Sequence, residues 1–398
     1  MRYTLIPADR CACSVSFLTK ISKLRFCTPA AYHDIFSSKF DGIKDPTAYA
    51  SIGAFGAETF FTIGDPIRHR ERYRAVASLF TKAHFERFEL TIQRNVERFS
   101  QLLSSNARAG RPSNLALGYH SLVLAIVSEF IFSNTPKQYR GLASGDFNDP
   151  FTVATANGVN WAFLLDSNFP NISACIARIP PKLINKFTDA FEGIYQVREI
   201  ITALLDHEKD PSTPKNKYAF AQRLLNAHLD PKSHFTTRYP DVVVIAEAEV
   251  TMWGGINDMA NLLPYGTFHV SRDMELQETL YKELKSVWLD VSDPVPPYEV
   301  LSSQCQCLNA LMKESMPLTH GPINGPPRLV GSQGATIDRH FVPPGTVVTA
   351  STYNVHMDPE IFPEPEKFKP ERWLNNENDH SSSIVVFARG RRACPAIQ

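Results

Sequence analysis

The sequence contains no uninterrupted apolar run of about 18 residues, the length that a membrane-spanning helix needs. It also lacks an excess of either charge, since 41 basic residues balance 41 acidic ones, and it therefore shows no general affinity for nucleic acid or an anionic membrane. The seven cysteines are an odd number without an even framework of spacings. These absences argue against a membrane span, a nucleic-acid-binding protein and a disulfide-stapled secreted domain, and they favour a reducing compartment.

The hydrophobic content of 43% is ample for a packed core, and its periodicity is mostly helical. Helices are predicted at about 67–103, 113–134, 183–206, 239–263, 272–288 and 298–316. The fourth is apolar on most sides, which is typical of a buried helix, and we predict that it starts at Pro240-Asp241 and stops at Pro264. After about residue 320, "RLVG", "ATIDRHFV" and "TVVTASTYNV" predict short strands. The predicted fold class is mainly α with a small β component, in a single domain.

Helix 298–316 carries a carboxylate on an apolar line. Two buried stripes are predicted there, Leu301, Cys305, Leu308 and Met312, and Cys307, Leu311 and Glu314. Glu314 either reaches water at the helix end or needs a cation or donors, because an isolated buried carboxylate is costly. Prolines prevent 358–374, "DPEIFPEPEKFKPERWL", from forming a helix or a central strand, and Arg372 in this segment is a candidate partner for Glu314.

The chain closes on "SSSIVVFARGRRACPAIQ", in which one cysteine lies among three arginines. A lone cysteine is often only a small buried hydrophobe. However, Arg389, Arg391 and Arg392 would lower the pKa of the Cys394 thiol and favour the thiolate, and arginines also bind carboxylates. A site with a thiolate and carboxylate-binding groups suits haem, which has one iron and two propionates. Zinc would need further Cys or His residues nearby.

"FARGRRACPA" resembles the cysteine-loop signature of the cytochrome P450 superfamily, with matches at Phe387, Gly390, Arg392 and Cys394 and with Ala396 in place of glycine. Other segments resemble the family in order and spacing: "DPIRHRERYRAVASLFTKAHF", "GGINDMAN", "PPRLV", "VPPGTVV", "VHMDPEIFPEPEKF" and "FKPERW". The resemblance covers about residues 28–398 as one haem domain, after a divergent segment 1–27. The sequence resembles fungal members of the family in particular, including those that oxidise terpenoids such as trichodiene.

The resemblance implies that Cys394 is the axial ligand of the haem iron. The other cofactor-binding positions that it implies are Arg392, Arg328, His69, Arg74, Phe387, Gly390, Gly254 and Gly255. It implies proton delivery to bound dioxygen by Asn257 and Asp258, and a structural network of Glu314 with Arg372.

Three departures from the family pattern affect these expectations. Pro317 replaces the arginine that would clamp Glu314, and proline should end the helix early. Asp258 replaces the usual threonine, and Asn257 the usual acid. The family's N-terminal anchor and the helix after the cysteine loop are missing, so we expect a truncated chain with loosened haem.

The expected function is haem-thiolate monooxygenation of a small apolar substrate with O2, in secondary metabolism. Electrons would come from a separate NADPH-cytochrome P450 reductase, because the chain shows no glycine motif for a nucleotide. Family members lie on the cytosolic face of the endoplasmic reticulum, and without the anchor this chain would be cytosolic or peripheral. A haem-thiolate isomerase or dehydratase and a non-catalytic remnant remain alternatives.

Overall fold

The computed structural model describes residues 14–16, 23–50, 57–136, 139–156, 175, 179, 192–227, 239–321, 323, 325–374 and 380–397. The chain divides into two compact units, one formed by Met1–Asp45 with Tyr265–Gln398 and the other by Pro46–Pro264. Helices predominate and strands are few and short, which confirms the predicted mainly helical class. Within the described residues, no helix has the combination of length and apolar character that a bilayer crossing requires.

The unit Pro46–Pro264 is helical. Its main described helices are Pro46–Ala50, Pro66–Val76, Lys82–Arg108, Leu115–Ile131, Glu192–Lys209, Phe220–Leu225 and the first three quarters of Asp241–Arg272, which we call the long helix. Val244, Ala248, Met252, Ile256 and Ala260 recur every four residues of the long helix and are all buried in the core of this unit. The predicted buried helix and its start at Asp241 are therefore confirmed. The predicted helix 183–206 is found from Glu192 onward, and its earlier residues lie outside the described ones.

The other unit combines helices with the strands. Its helices are Pro29–Ile35, Met274–Val287, Tyr298–Gln304, Gln306–Thr319 and Thr352–His356. Five strands form one sheet in the order Ser14–Ser16, Lys23–Phe26, Val347–Ala350, Arg328–Val330 and Gly42–Lys44, and Ala335–Ile337 pairs with His340–Val342. Tyr32 and Ile35 of the first helix, Pro29–Ile35, and its C-cap Phe36 share a core with Val348 of the sheet and with Val385.

Both prolines that were expected to stop a helix lie inside one. The long helix continues through Pro264 to Arg272, and the helix Gln306–Thr319 continues through Pro317. The predicted stops were wrong because a proline removes one hydrogen bond, whereas the neighbouring turns keep theirs. The second helix ends instead at His320, which has the left-handed conformation with φ 61°.

The single helix predicted over 298–316 is two helices with a break at Cys305, so the stripe through Leu301, Cys305, Leu308 and Met312 does not follow one helix. Glu283 explains the break, since its carboxylate accepts the amides of Cys307 and Leu308 at 2.7 and 3.0 Å and caps a new helix. Similarly, the strand predicted through "TVVTASTYNV" ends at Ala350, because Ser351 caps the helix Thr352–His356 by accepting the amide of Tyr353.

Candidate functional site

The cysteine loop, residues 385–394, folds back on itself and places Cys394 in a half-buried position. The Cys394 amide donates to the Phe387 carbonyl at 2.8 Å, which closes the loop. Gly390 has φ +70°, and a Cβ there would lie 2.5 Å from the Phe36 carbonyl oxygen. Glycine is therefore required both by the backbone angle and by the close approach of the first helix. Arg391 ties the cysteine loop to the residues that follow the first helix, because its Nε donates to the Ser38 carbonyl at 2.9 Å.

Several cations lie in the same unit as the cysteine loop. Lys44 and Arg328 are register partners on adjacent strands, and each side chain is 5% exposed. Burial lowers the pKa of Lys44 well below its usual value, and the charges of Arg328 and Arg392 lower it further. Like charges opposite each other on a sheet destabilise it. The strand pairing thus brings these basic side chains together in the unit that contains the cysteine loop. No sequence pattern singles out Lys44, since its position opposite Arg328 depends on the strand pairing.

Glu314 is 2% exposed and is held by three donors. The Lys369 amide donates to Oε1 at 2.7 Å, the Trp373 indole Nε1 donates to Oε2 at 2.6 Å, and Arg372 Nε lies 3.0 Å from Oε2. Burial raises the pKa of Glu314, and these three groups oppose that rise. The structure therefore brings together the two residues of the expected network and adds two neutral donors that the sequence analysis missed.

Arg372 also donates to the carbonyls of Pro363, Glu364 and Lys367, at 2.7, 3.3 and 3.3 Å. The proline-rich segment 358–374 has no regular structure apart from a short 3-10 turn, Pro370–Trp373, and the Arg372 guanidinium holds it together alongside the bonds of Lys369 and Trp373 to Glu314. Cys307 and Leu311, which share the predicted stripe with Glu314, are buried.

In the other unit, Gly254, Asp258 and Asn261 of the long helix are exposed on one face, spaced by four and three residues. A Cβ on Gly254 would meet nothing within 4 Å, whereas one on Gly255 would lie 3.1 Å from Val127. The two glycines consequently have different structural roles. Gly255 allows close packing against the neighbouring helix, and Gly254 leaves open space on its own helix face.

Asp258 makes no hydrogen bond or ion pair with the residues that the structure describes, and burial raises its pKa above the ordinary value. Its side chain is nevertheless accessible to solvent. Asn257, by contrast, donates its side-chain amide to the Trp253 carbonyl of its own helix at 2.9 Å. Of the two expected relay residues, Asp258 has the uncommitted side chain.

The helix Pro66–Val76 contains the two remaining expected positions. His69 is half-buried and stacks on Tyr73, with ring centroids 6.0 Å apart, while Arg74 is exposed. Arg72, which the sequence analysis did not single out, lies 2.8 Å from the buried carboxylate of Glu247 on the long helix. Arg72 could not be identified from "RHRERYR", because nothing in this charged run distinguishes the inward-facing arginine from its neighbours.

Comparison with known proteins gives consistent matches. The cytochrome P450 family model matches residues 20–395. The cytochrome P450 monooxygenase ppzG of Metarhizium majus (strain ARSEF 297) is 43% identical over 295 residues, 68% of this chain and 94% of that protein. The cytochrome P450 monooxygenase flvC of Aspergillus flavus is 26% identical over 416 residues, 98% of this chain and 72% of that protein. A crystal structure of a cytochrome P450 (CYP102L1) has a TM-score of 0.75 at 14% identity, covers 98% of this chain and 82% of that one, and shows the fold alone.

Proposed function

The chain belongs to the cytochrome P450 family, and we propose that it is a haem-thiolate monooxygenase of fungal secondary metabolism that oxidises a small apolar substrate. The observation that carries this proposal is the cysteine loop. Its single thiol is half-buried, and the loop is closed by the bond from the Cys394 amide to the Phe387 carbonyl. Within the described ranges, no group of three or more His, Cys, Asp or Glu side chains could hold a metal ion.

The residues present fit haem. Cys394 would hold the iron, and Arg392, with Arg328, would face the propionates, because a guanidinium group binds a carboxylate with charge-assisted hydrogen bonds. When bound, the haem supplies oxygen activation through an iron whose thiolate ligand donates electron density. His69 stays a candidate haem contact on the family resemblance, whereas the exposure of Arg74 gives that residue little support.

Asp258 is the group that we propose delivers protons. A general acid needs a proton near neutral pH and a donor position within reach of the reacting group. Burial raises the pKa of this carboxyl, and its side chain is uncommitted on the same helix face as Gly254. Gly254 leaves the space that a ligand would occupy. Asn257, tied to its own helix, would hold the helix turn rather than move a proton.

The apolar substrate is proposed from the class of the enzyme, with a terpenoid as the first compound class to test. The segment "NWAFLLDSNFP", 160–170, which could contribute substrate contacts, lies outside the described residues. We propose that electrons come from a separate NADPH-cytochrome P450 reductase, and that the chain meets it at the cytosolic face of the endoplasmic reticulum.

The test is the spectrum of the reduced, CO-treated protein after haem is added to the full chain. We expect the Soret band that is characteristic of thiolate-ligated iron, and we expect Cys394→Ser to abolish it. Cys27→Ser is the matched control, because Cys27 is equally half-buried and lies in the same unit. A Cys394→Ser protein with an unchanged spectrum would refute the proposal.

A haem-thiolate isomerase or dehydratase is the second candidate, and the replacement of the usual threonine by Asp258 favours it, because such reactions need no dioxygen activation. Oxygen uptake separates the two. With a reductase, NADPH and substrate present, a monooxygenase consumes O2 in step with product, whereas an isomerase forms product without O2. For the monooxygenase, Asp258→Ala should slow coupled O2 use and leave the CO spectrum unchanged, and Asp258→Thr should restore coupling.

A further inference from the structure

The entrance of the cysteine loop is fixed by two side chains from distant parts of the sequence. The Val385 amide donates to Nε2 of His356 at 3.1 Å, and the Val385 carbonyl accepts from the Tyr32 hydroxyl at 3.2 Å. All three residues are at most 1% exposed. Both backbone polar groups of a single residue are therefore satisfied by buried side chains, nine positions before the cysteine.

This anchor is connected to Cys394 by two further hydrogen bonds. The Val385 carbonyl also accepts the Ala388 amide at 3.0 Å, which sets the first bend of the loop. The Phe387 carbonyl, inside that bend, accepts the Cys394 amide at 2.8 Å. A displacement of Val385 would thus move the carbonyl that holds the cysteine backbone.

His356 acts here as an acceptor, so Nε2 must carry no proton. Its surroundings favour that state: burial lowers the pKa of the imidazole to about 3, with a further lowering by His320, whose ring stacks on it at 6.2 Å. The acceptor is available at any pH at which the protein would work.

We propose that His356 is a positioning residue of the cysteine loop, which sets the placement of Cys394 through the backbone of Val385, with Tyr32 as the second anchor. The proposal rests on the proposed function in one respect, namely that Cys394 is the iron ligand. A histidine that only filled space in the core would be replaceable by any side chain of similar volume. A positioning histidine needs an acceptor atom at Nε2.

The experiment compares three variants of the full chain loaded with haem. His356→Leu removes the acceptor and leaves a buried amide unsatisfied, whereas His356→Gln keeps a carbonyl oxygen that can accept. His380→Leu is the matched control, because His380 packs on Phe362 at 5.5 Å, as His356 does at 6.3 Å, but makes no hydrogen bond with Val385.

The readout is the lifetime of the thiolate-type Soret band in the reduced, CO-bound state. We expect His356→Leu to shorten it about tenfold or more, the change that about 1.4 kcal/mol produces. His356→Gln and His380→Leu should stay within about threefold of the parent. Equal lifetimes for His356→Leu and His380→Leu would overturn the proposal.

A second measurement separates this proposal from the assignment of Cys394. Amide hydrogen exchange over residues 384–394 needs no cofactor, and in His356→Leu it should accelerate about tenfold at Val385 and along the loop. The same acceleration in His380→Leu, or none in His356→Leu, would refute the anchor. A parent protein that lacks the thiolate-type band but shows the expected exchange pattern would refute the proposed function and retain the anchor.

Discussion

Replacing Trp373 by phenylalanine tests how the buried Glu314 is stabilised. Trp373 Nε1 donates to Oε2 of Glu314 at 2.6 Å, and its ring packs against Phe362 with centroids 6.1 Å apart. Phenylalanine preserves an aromatic ring at this position and removes the donor. The change therefore takes away one of three donors while the Lys369 amide and Arg372 remain.

The expected cost follows from the charge of the acceptor. A hydrogen bond to a charged group contributes about 1.5–3 kcal/mol, against about 0.5–1.5 kcal/mol for a neutral pair. We expect Trp373→Phe to lower the free energy of unfolding by about 2 kcal/mol, because the half-buried ring adds little cavity cost. The Trp373 donor favours the charged form of Glu314 and thereby lowers its pKa. Its contribution is present above that pKa and is lost as the pH falls through it.

The assay is urea unfolding near neutral pH and again in acid. Trp288→Phe is the control, since Trp288 Nε1 donates to the neutral Asp293 carbonyl at 3.1 Å near the surface, and its loss should cost under about 1 kcal/mol. The Trp373 variant should lose more stability than the control near neutral pH, and the gap should narrow in acid. Equal costs for the two variants, or a gap that widens in acid, would refute this account of Glu314.

Two further predictions concern the cysteine loop and the long helix. Gly390→Ala should loosen haem and destabilise the fold. A left-handed backbone alone costs an alanine about 1–2 kcal/mol, and the loss here should be larger because the new Cβ would lie 2.5 Å from the Phe36 carbonyl oxygen. Gly345→Ala, at φ +74° in open space, should show the conformational cost alone when both are compared by thermal unfolding. Arg72→Met should destabilise by about 3–5 kcal/mol near pH 8 and by less near pH 5. The pKa of Glu247, raised to about 7 by burial, lies above its unfolded value, so in acid the folded carboxyl is already protonated and needs no cation. Replacing the exposed Arg70 of the same helix should have a small effect at either pH, and a pH-independent loss in Arg72→Met would contradict the argument.

Periodicity predicted most of the helices because it reflects which side of a helix is buried, and that information is local. The long helix is the clearest case: its buried residues recur every four positions from Val244 to Ala260. The cysteine loop could also be read from sequence, since its glycine and its arginines adjoin the thiol. The terminal loop and the long helix thus carry their own signals.

The remaining site residues carry no local signal because their roles arise from pairing across the chain. Lys44 matters through its register with Arg328, nearly 300 residues later. The break at Cys305 depends on the carboxylate of Glu283 from the helix Met274–Val287. His356 and Tyr32 meet at Val385 only after the sheet and the first helix have packed. A pattern within one segment cannot contain such contacts.

The proline at 317 shows why a missing motif residue is weak evidence of a missing interaction. The sequence removes the arginine expected to clamp Glu314, and that loss alone predicts an under-satisfied buried carboxylate. In the structure, the carboxylate instead receives the Lys369 amide and the Trp373 indole, while Arg372 is held by three backbone carbonyls of its own segment. A buried charge requires enough donors, and neutral donors can supply part of that need. The stability of the Glu314 network must therefore be judged from its hydrogen bonds, since the replaced arginine was one way of making them.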